Sequence, residues 1–370
     1  MRKALVMPAV LFLLSAVAGD AWGQVQYTLT DLGPGDAYGI NSSGQVVGEN
    51  ANGQAFLYSG GSMTLLGTIT TYGSSAYGIN NNGQVVGSAE TNGGAADHAF
   101  LYSGGSMQDL GTLPGGTVSC ATGINDSGQV VGYSCSNANV PCHAFLYSGG
   151  SMQDLGTLGG TTSYALGINN SGQVVGVAET SAGACHAFLY SGGAMHDLGT
   201  LGGTYSEAYG INNSGQVVGD ATTSTGADHA FLYSGGVMQD LGTLGGAQSE
   251  AYGINNKGQA VGCTDYDAFL YSGGSMMAFG DFLYEPWDFG EATGINDLGQ
   301  MCGDGKPYYD PNPAEDHAFL LAPTPEPSTL ALLGAGAIGL LACAWRRTRR
   351  FPAYSGFGWH VARDTKGGVR

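Results

Sequence analysis

Residues 167–201 read GINNSGQVVGVAETSAGACHAFLYSGGAMHDLGTL. Four strand-sized apolar pieces follow one another: a GIN segment, QVVG, AFLY and a DLGTL segment. The pieces NNSG and SGG between them are tight-turn chemistry, because Asn and Gly accept the positive φ that hairpin turns require. One such stretch therefore predicts two hairpins, or four antiparallel strands. Neither QVV nor AFLY alternates apolar with polar, so these strands are expected to be buried on both faces, each sheet packing between two others.

The pattern recurs down the chain. GIN begins at Gly39, Gly78, Gly123, Gly167, Gly210, Gly253 and Gly294, with spacings of 39, 45, 44, 43, 43 and 41 residues. Four strands in about 43 residues is the size of a propeller blade. The repeat region opens with VQYTLTDLG, the fourth segment without its three predecessors, and closes with HAFLLAP at His317, the third without its successor. The expected fold class is all-β: a seven-bladed β-propeller of four-stranded blades, its ring closed by the N-terminal strand Tyr27–Gly33 pairing beside Ala318–Leu321. Only stacked copies in a ring can bury both faces of such a unit. A parallel solenoid fits less well, since two hairpins per repeat reverse direction too often.

The 370 residues hold 66 glycines but only 11% charged side chains, a composition of short strands and turns rather than of a disordered tail. Arg2 and Lys3, the apolar run Ala4–Ala18 and the triplet Ala21-Trp22-Gly23 read as a secretory signal peptide over residues 1–23. Residues 24–322 form the propeller and 323–327 a Pro-rich linker. Residues 328–345 carry no charge and predict a transmembrane helix. The basic tail 346–370, led by Arg346 and Arg347, stays on the cytoplasmic side. Between Gln24 and Ala322 only Lys257 and Lys306 are basic, against 26 of the 29 acidic residues. Nucleic acid and anionic membrane surfaces are therefore excluded as partners of that region.

The C-terminal segment, with Pro325-Glu326-Pro327, one spanning helix and the arginine cluster, resembles the PEP-CTERM sorting signal of bacterial exported proteins. The resemblance implies an exosortase-type membrane protease as partner, a membrane anchor in transit, and a final place at the cell surface or in the extracellular matrix of a Gram-negative-type bacterium. The tail FPAYSGFGWHVARDTKGGVR extends past the arginines, where that family usually stops. The repeats resemble the HAF-family extracellular repeat proteins, through His186-Ala187-Phe188 and Gly167–Gly176. That resemblance covers nearly all of residues 25–322 and implies fold and location but no defined activity.

The histidines at 98, 143, 186, 229 and 317 share one phase of the repeat, as do the aspartates at 31, 109, 154, 197 and 240. Copies spread one per blade suit structural hydrogen bonding, whereas a metal centre needs convergence and catalytic carboxylates come as an isolated pair. GAGAIG at Gly334–Gly339 matches a dinucleotide pattern but lies inside the apolar span, with no strand before it. No nucleophile–base, zinc-protease, P-loop or EF-hand motif occurs. No cofactor or metal is expected. Cys135 and Cys142 flank one loop and form the favoured disulfide, with Cys142–Cys185 as the competing pairing.

Loops on one rim vary between repeats while the NNSG and YSGG turns on the other hardly change, so a site is expected on the variable rim. The last blade carries the two most divergent loops. They bring Tyr284, Trp287, Tyr308 and Tyr309 near Glu285, Asp288 and Asp310, an aromatic and carboxylate set suited to sugar rings. The same carboxylates are chemically able to hold Ca²⁺, although no loop shows the regular oxygen spacing of such sites. The expected function is a non-enzymatic structural or adhesive component of the cell surface or exopolysaccharide matrix. The alternatives are a carbohydrate-binding, lectin-like propeller with extracellular polysaccharide as partner, and a polysaccharide-degrading enzyme.

Overall fold

A computed structural model describes residues 26–324 except 71–72, 92–95, 137–140, 266, 284–286 and 309–314. All of them belong to the compact unit Met1–Thr324. The signal peptide, the PEP motif, the transmembrane helix and the basic tail lie outside the described residues. Among the described residues, no helix is long and apolar enough to cross a membrane.

The strand Gly159–Ile168 ends in the GIN segment, and with Val174–Thr180, Cys185–Ser191 and Ala194–Asp197 it forms one four-stranded antiparallel sheet. Its first turn is built by Asn169. The Asn169 side-chain oxygen accepts from the Ser171 and Gln173 amides at 3.0 Å each, and Gly172 supplies φ +76°. The second turn is a two-residue hairpin between Ser191 and Ala194, with Gly192 and Gly193 both at positive φ. The last glycine of GQVVG is needed for a different reason. A Cβ on Gly176 would stand 1.9 Å from the Tyr164 carbonyl oxygen, so no other residue fits this close strand approach.

Five four-stranded sheets of this kind and one seven-stranded sheet make up the fold, which is all-β and propeller-like. Its one described helix is the single turn Phe279–Phe282. In the seven-stranded sheet the long strand Tyr27–Ile40 serves two neighbours. Tyr27–Pro34 pairs with His317–Pro323, and Gly35–Ile40 pairs with Val46–Asn50. Among the described residues there are therefore seven four-stranded units, five separate and two that share this one strand.

The sequence pattern explains the packing. Val174 joins Ala165 and Phe188 in one core cluster, whereas its neighbour Val175 joins Ala187, Ala208 and Phe231 in the next. Consecutive valines thus face opposite neighbours, which is why QVV does not alternate. The phenylalanine of each AFLY or HAF segment is fully buried.

Candidate functional site

The recurring His and Asp side chains meet in pairs. His98, His143, His186 and His229 place Nδ1 2.7–3.0 Å from Asp109, Asp154, Asp197 and Asp240. Each Asp also accepts the amide of the glycine two residues on, as Asp197 does from Gly199 at 2.7 Å. These pairs tie the third strand of a unit to the fourth. The fifth pair, His317–Asp31 at 3.0 Å, makes the same tie between the two ends of the repeat region.

At the NNSG end all seven units line one cavity of about 220 Å³. Seven buried asparagines encircle it. Asn41 Nδ2 donates to the Asn80 carbonyl, Asn80 to Asn125, Asn125 to Asn169, Asn169 to Asn212, Asn212 to Asn255, and Asn255 to Asn296. Asn296 donates back to Asn41. The following position adds an outer circuit, in which the Asp126 carboxylate accepts from the Asn81 and Asn170 side chains at 2.9 Å. Those bonds, with one from the Asn81 amide, outweigh a burial penalty and hold the Asp126 carboxyl below its usual range. Every inner side chain is already bonded within the ring, which makes this end a structural rim.

The other end of the units is asymmetric. In the first strand, one position is filled in turn by Asp36, Ser75, Cys120, Tyr164, Glu207, Glu250 and Glu291. The cross-strand partners of these residues are Glu49, Ser88, Tyr133, Val177, Asp220, Cys263 and Asp304. The fifth, sixth, seventh and first units thus contribute a continuous arc of carboxylates, while the second, third and fourth contribute none.

Burial of Asp220, together with the nearby carboxylates of Glu250 and Glu207, pushes its pKa up to about 7. One of its oxygens, Oδ1, is inaccessible and has no hydrogen-bond partner. Around it, Tyr205 donates to Glu207 and Tyr252 donates to Glu250 at 2.8 Å. The rings of Tyr209 and Tyr252 lie 5.3 Å apart, edge to face. Asp304 is likewise raised to about 7, by burial and then by Glu291, Asp36 and Asp316, with Lys306 opposing. Between the sixth and seventh units the arc opens into a cavity of about 400 Å³ that Cys263, Asp265, Glu291 and Asp304 help to line. At its edge Lys306 pairs with Asp316 at 3.4 Å.

The aromatic site expected in the last unit is only partly present. Trp287 is 9% exposed, packs against Phe289 at a centroid distance of 6.0 Å, and lies edge-on to Phe319. Its faces are spent on the core, which corrects the expectation that it stacks on a sugar. The reason is local: Phe279, Phe289 and Phe319 converge here, and a large apolar ring fills the space between them. Tyr308 is 66% exposed and Asp288 is exposed at the 400 Å³ cavity. Tyr284, Glu285, Tyr309 and Asp310 lie outside the described residues.

Cys135 and Cys142 form a disulfide, leaving Cys185 a free thiol. Among the described residues, no group of three His, Cys, Asp or Glu side chains is placed to hold a metal ion. The acidic arc escaped the motif reading because its members lie one per repeat. Aligning the repeats by column and following the residue before AYGIN would have found it.

Residues 323–347 match the PEP-CTERM protein-sorting motif. That motif is recognised by exosortase, a membrane protease, and implies export and a surface or extracellular fate. No curated protein matches the chain in sequence. Among solved structures, YCF48 bound to D1 peptide is similar over 84% of this chain and 100% of its own, at 12% identity and TM-score 0.51. TolB from Acinetobacter baumannii matches 79% of this chain at 11% identity and TM-score 0.44, and the chain spans 64% of TolB. A Mycobacterium tuberculosis puromycin-hydrolyzing peptidase matches 76% of this chain and 50% of its own, at 11% identity and TM-score 0.49. At such identities the likeness extends to the fold alone, and of these three it rests on YCF48.

Proposed function

We propose that the chain is a seven-bladed β-propeller of the HAF repeat type, closed by its own N-terminal strand. It acts as a non-enzymatic structural or adhesive component of the cell surface or exopolysaccharide matrix. The observation that carries the location is the sorting motif at residues 323–347. Closure is supported by the pairing of Tyr27–Pro34 with His317–Pro323 and by the Asn296–Asn41 bond. The non-enzymatic reading is supported by the absence of a nucleophile–base motif in the sequence and by the recurring His–Asp pairs, whose bonds tie strands together. A strain lacking the chain should lose matrix cohesion or surface attachment, and purified protein added back should restore it. Unchanged cohesion and attachment would contradict the role.

A carbohydrate-binding propeller is the second reading, favoured by the exposed Tyr308 and by the cavity that Asp288 helps to line in the same unit. Selective binding on a glycan array, with and without Ca²⁺, that is lost in Tyr308→Ala would support it. An array without selective binding would remove it.

A further inference from the structure

We infer that the acidic arc on the variable rim is a binding site for a linear polycation carrying protonated amines, seated at Glu207, Asp220 and Glu250 and extending toward Glu291 and Asp304. This goes beyond the surface role and stands whether or not the protein is adhesive.

The strand register sets Asp220 opposite Glu207 and Asp304 opposite Glu291, so each pair shares one face of its sheet. Asp220 is only 5% exposed, and its Oδ1 lacks any donor. A buried carboxylate oxygen without a partner carries a large desolvation penalty, which a charged donor relieves. The Tyr209 hydroxyl bonds the Asp220 carboxyl, but among the described residues no cationic side chain pairs with it. Its repeat region has two lysines, and Lys306 pairs with Asp316.

The chemistry of the missing partner follows from the surroundings. The carboxylates do not converge as a metal centre among the described residues. Tyr209 and Tyr252 flank them at a ring separation of 5.3 Å. Tyrosine rings beside carboxylates suit an ammonium group, which offers three donors, one charge and attraction to a π face. Glu207 and Glu250 are partly exposed and give access from the rim, with Asp220 beneath them. The Tyr252 hydroxyl contacts Cys263 Sγ at 3.4 Å, and Cys263 also lines the 400 Å³ cavity holding Glu291 and Asp304. A second amine along the same ligand therefore finds a second acidic pair. Amine spacing along a chain, rather than a single point charge, fits an arc spread over neighbouring units.

Binding should strengthen as the arc ionises. Asp220 faces Glu207, Tyr205 and Tyr209 on its first strand, Asp228 on its third and Glu250 on the next unit. Asp304 faces Glu291, Asp36, Asp316 and Lys306. Both carboxyls are held up at about 7, so raising the pH from 5.5 to 8 charges them.

Calorimetric titration of the full chain with spermidine tests the site, at pH 8 and pH 5.5, beside glucosamine oligomers, their N-acetylated forms and CaCl₂. Spermidine should bind at pH 8, with affinity about tenfold weaker at pH 5.5 and about tenfold weaker in Asp220→Asn or Glu207→Gln, the loss of one charge-assisted bond. Asp126→Asn, on the opposite rim, should bind as wild type. Glucosamine oligomers binding more tightly than spermidine would assign the ligand to amino-sugar polymers, and the reverse to free polyamines; N-acetylated forms should not bind. Circular dichroism checks folding, and Asp304→Asn serves as a second probe should Asp220→Asn misfold. No spermidine heat at pH 8, equal binding by Asp220→Asn and Asp304→Asn, or CaCl₂ competing at equal concentration would each overturn the inference.

Discussion

Asn296 Nδ2 donates to the backbone carbonyl of Asn41 at 2.9 Å, joining residues 255 apart in sequence. The same bond joins each of the other six asparagines to its successor, but there the separation is a single repeat. Asn296 is 6% exposed and also holds its own turn, accepting from the Leu298 and Gln300 amides. Replacing it with Ala removes the acceptor of both amides and leaves the Asn41 carbonyl with the Gly44 amide alone. Asn296→Ala should cost about 2–4 kcal/mol, since several buried groups lose partners together, and lower the melting temperature by several degrees in a thermal scan. An unchanged midpoint would show that the seam bond contributes nothing.

The shared strand makes a sharper prediction. Without residues 24–33, the edge His317–Pro323 loses its antiparallel partner and exposes unpaired amides and carbonyls. Such a shortened chain should self-associate or lose cooperative unfolding, as read by light scattering and calorimetry. A monomer of wild-type stability would count against closure by this strand.

Trp287→Ala should behave as a core mutation. The indole contacts Phe289, Phe319 and His317, and its removal leaves a cavity worth about 3–5 kcal/mol. Denaturant unfolding should show that loss, while any glycan binding per folded molecule stays as in wild type. A surface role would give the opposite result.

The pH dependence of stability follows from Asp220 and Asp304, whose ordinary 3.8 is raised to about 7 in the folded chain. Between roughly pH 4 and 7, the folded state holds protons that the unfolded state has released. Stability should therefore be greater at the acid end of this window and fall as pH rises toward 7. Asp220→Asn should flatten the fall and raise the melting temperature at pH 8. A midpoint that climbs steadily from pH 5 to 8 would contradict the assignment.

Reducing the Cys135–Cys142 disulfide should cost about 2 kcal/mol, the loop-closure entropy of a short loop. Cys135→Ser with Cys142→Ser should match the reduced wild type, and Cys185 should react with a thiol reagent in both. A Cys142–Cys185 crosslink in a peptide map would replace this pairing.

Much of the architecture was legible because it is repeated. NNSG and SGG announced their turns, and the doubled valines of QVV announced burial on two faces. The odd segments at Tyr27 and His317 pointed to the pairing that joins them. The site was less legible. Trp287 looked available because its loop is unlike the others, yet Phe289 two residues on and the distant Phe319 both pack against it, and the contact with Phe319 has no local signature. Asp220 and Glu207 are single substitutions in otherwise regular strands, so only their alignment across units reveals an arc.

The sorting motif at residues 323–347 implies that this propeller-like chain is delivered outside the cell. The most direct test of that delivery is intact-mass spectrometry of the chain from membrane and extracellular fractions, in wild type and with Pro325, Glu326 and Pro327 all replaced by Ala. The wild-type extracellular species should begin near Gln24 and end near residue 327, and the altered chain should stay uncut in the membrane fraction. An uncut wild-type chain retained inside the cell, or equal release of both forms, would contradict it.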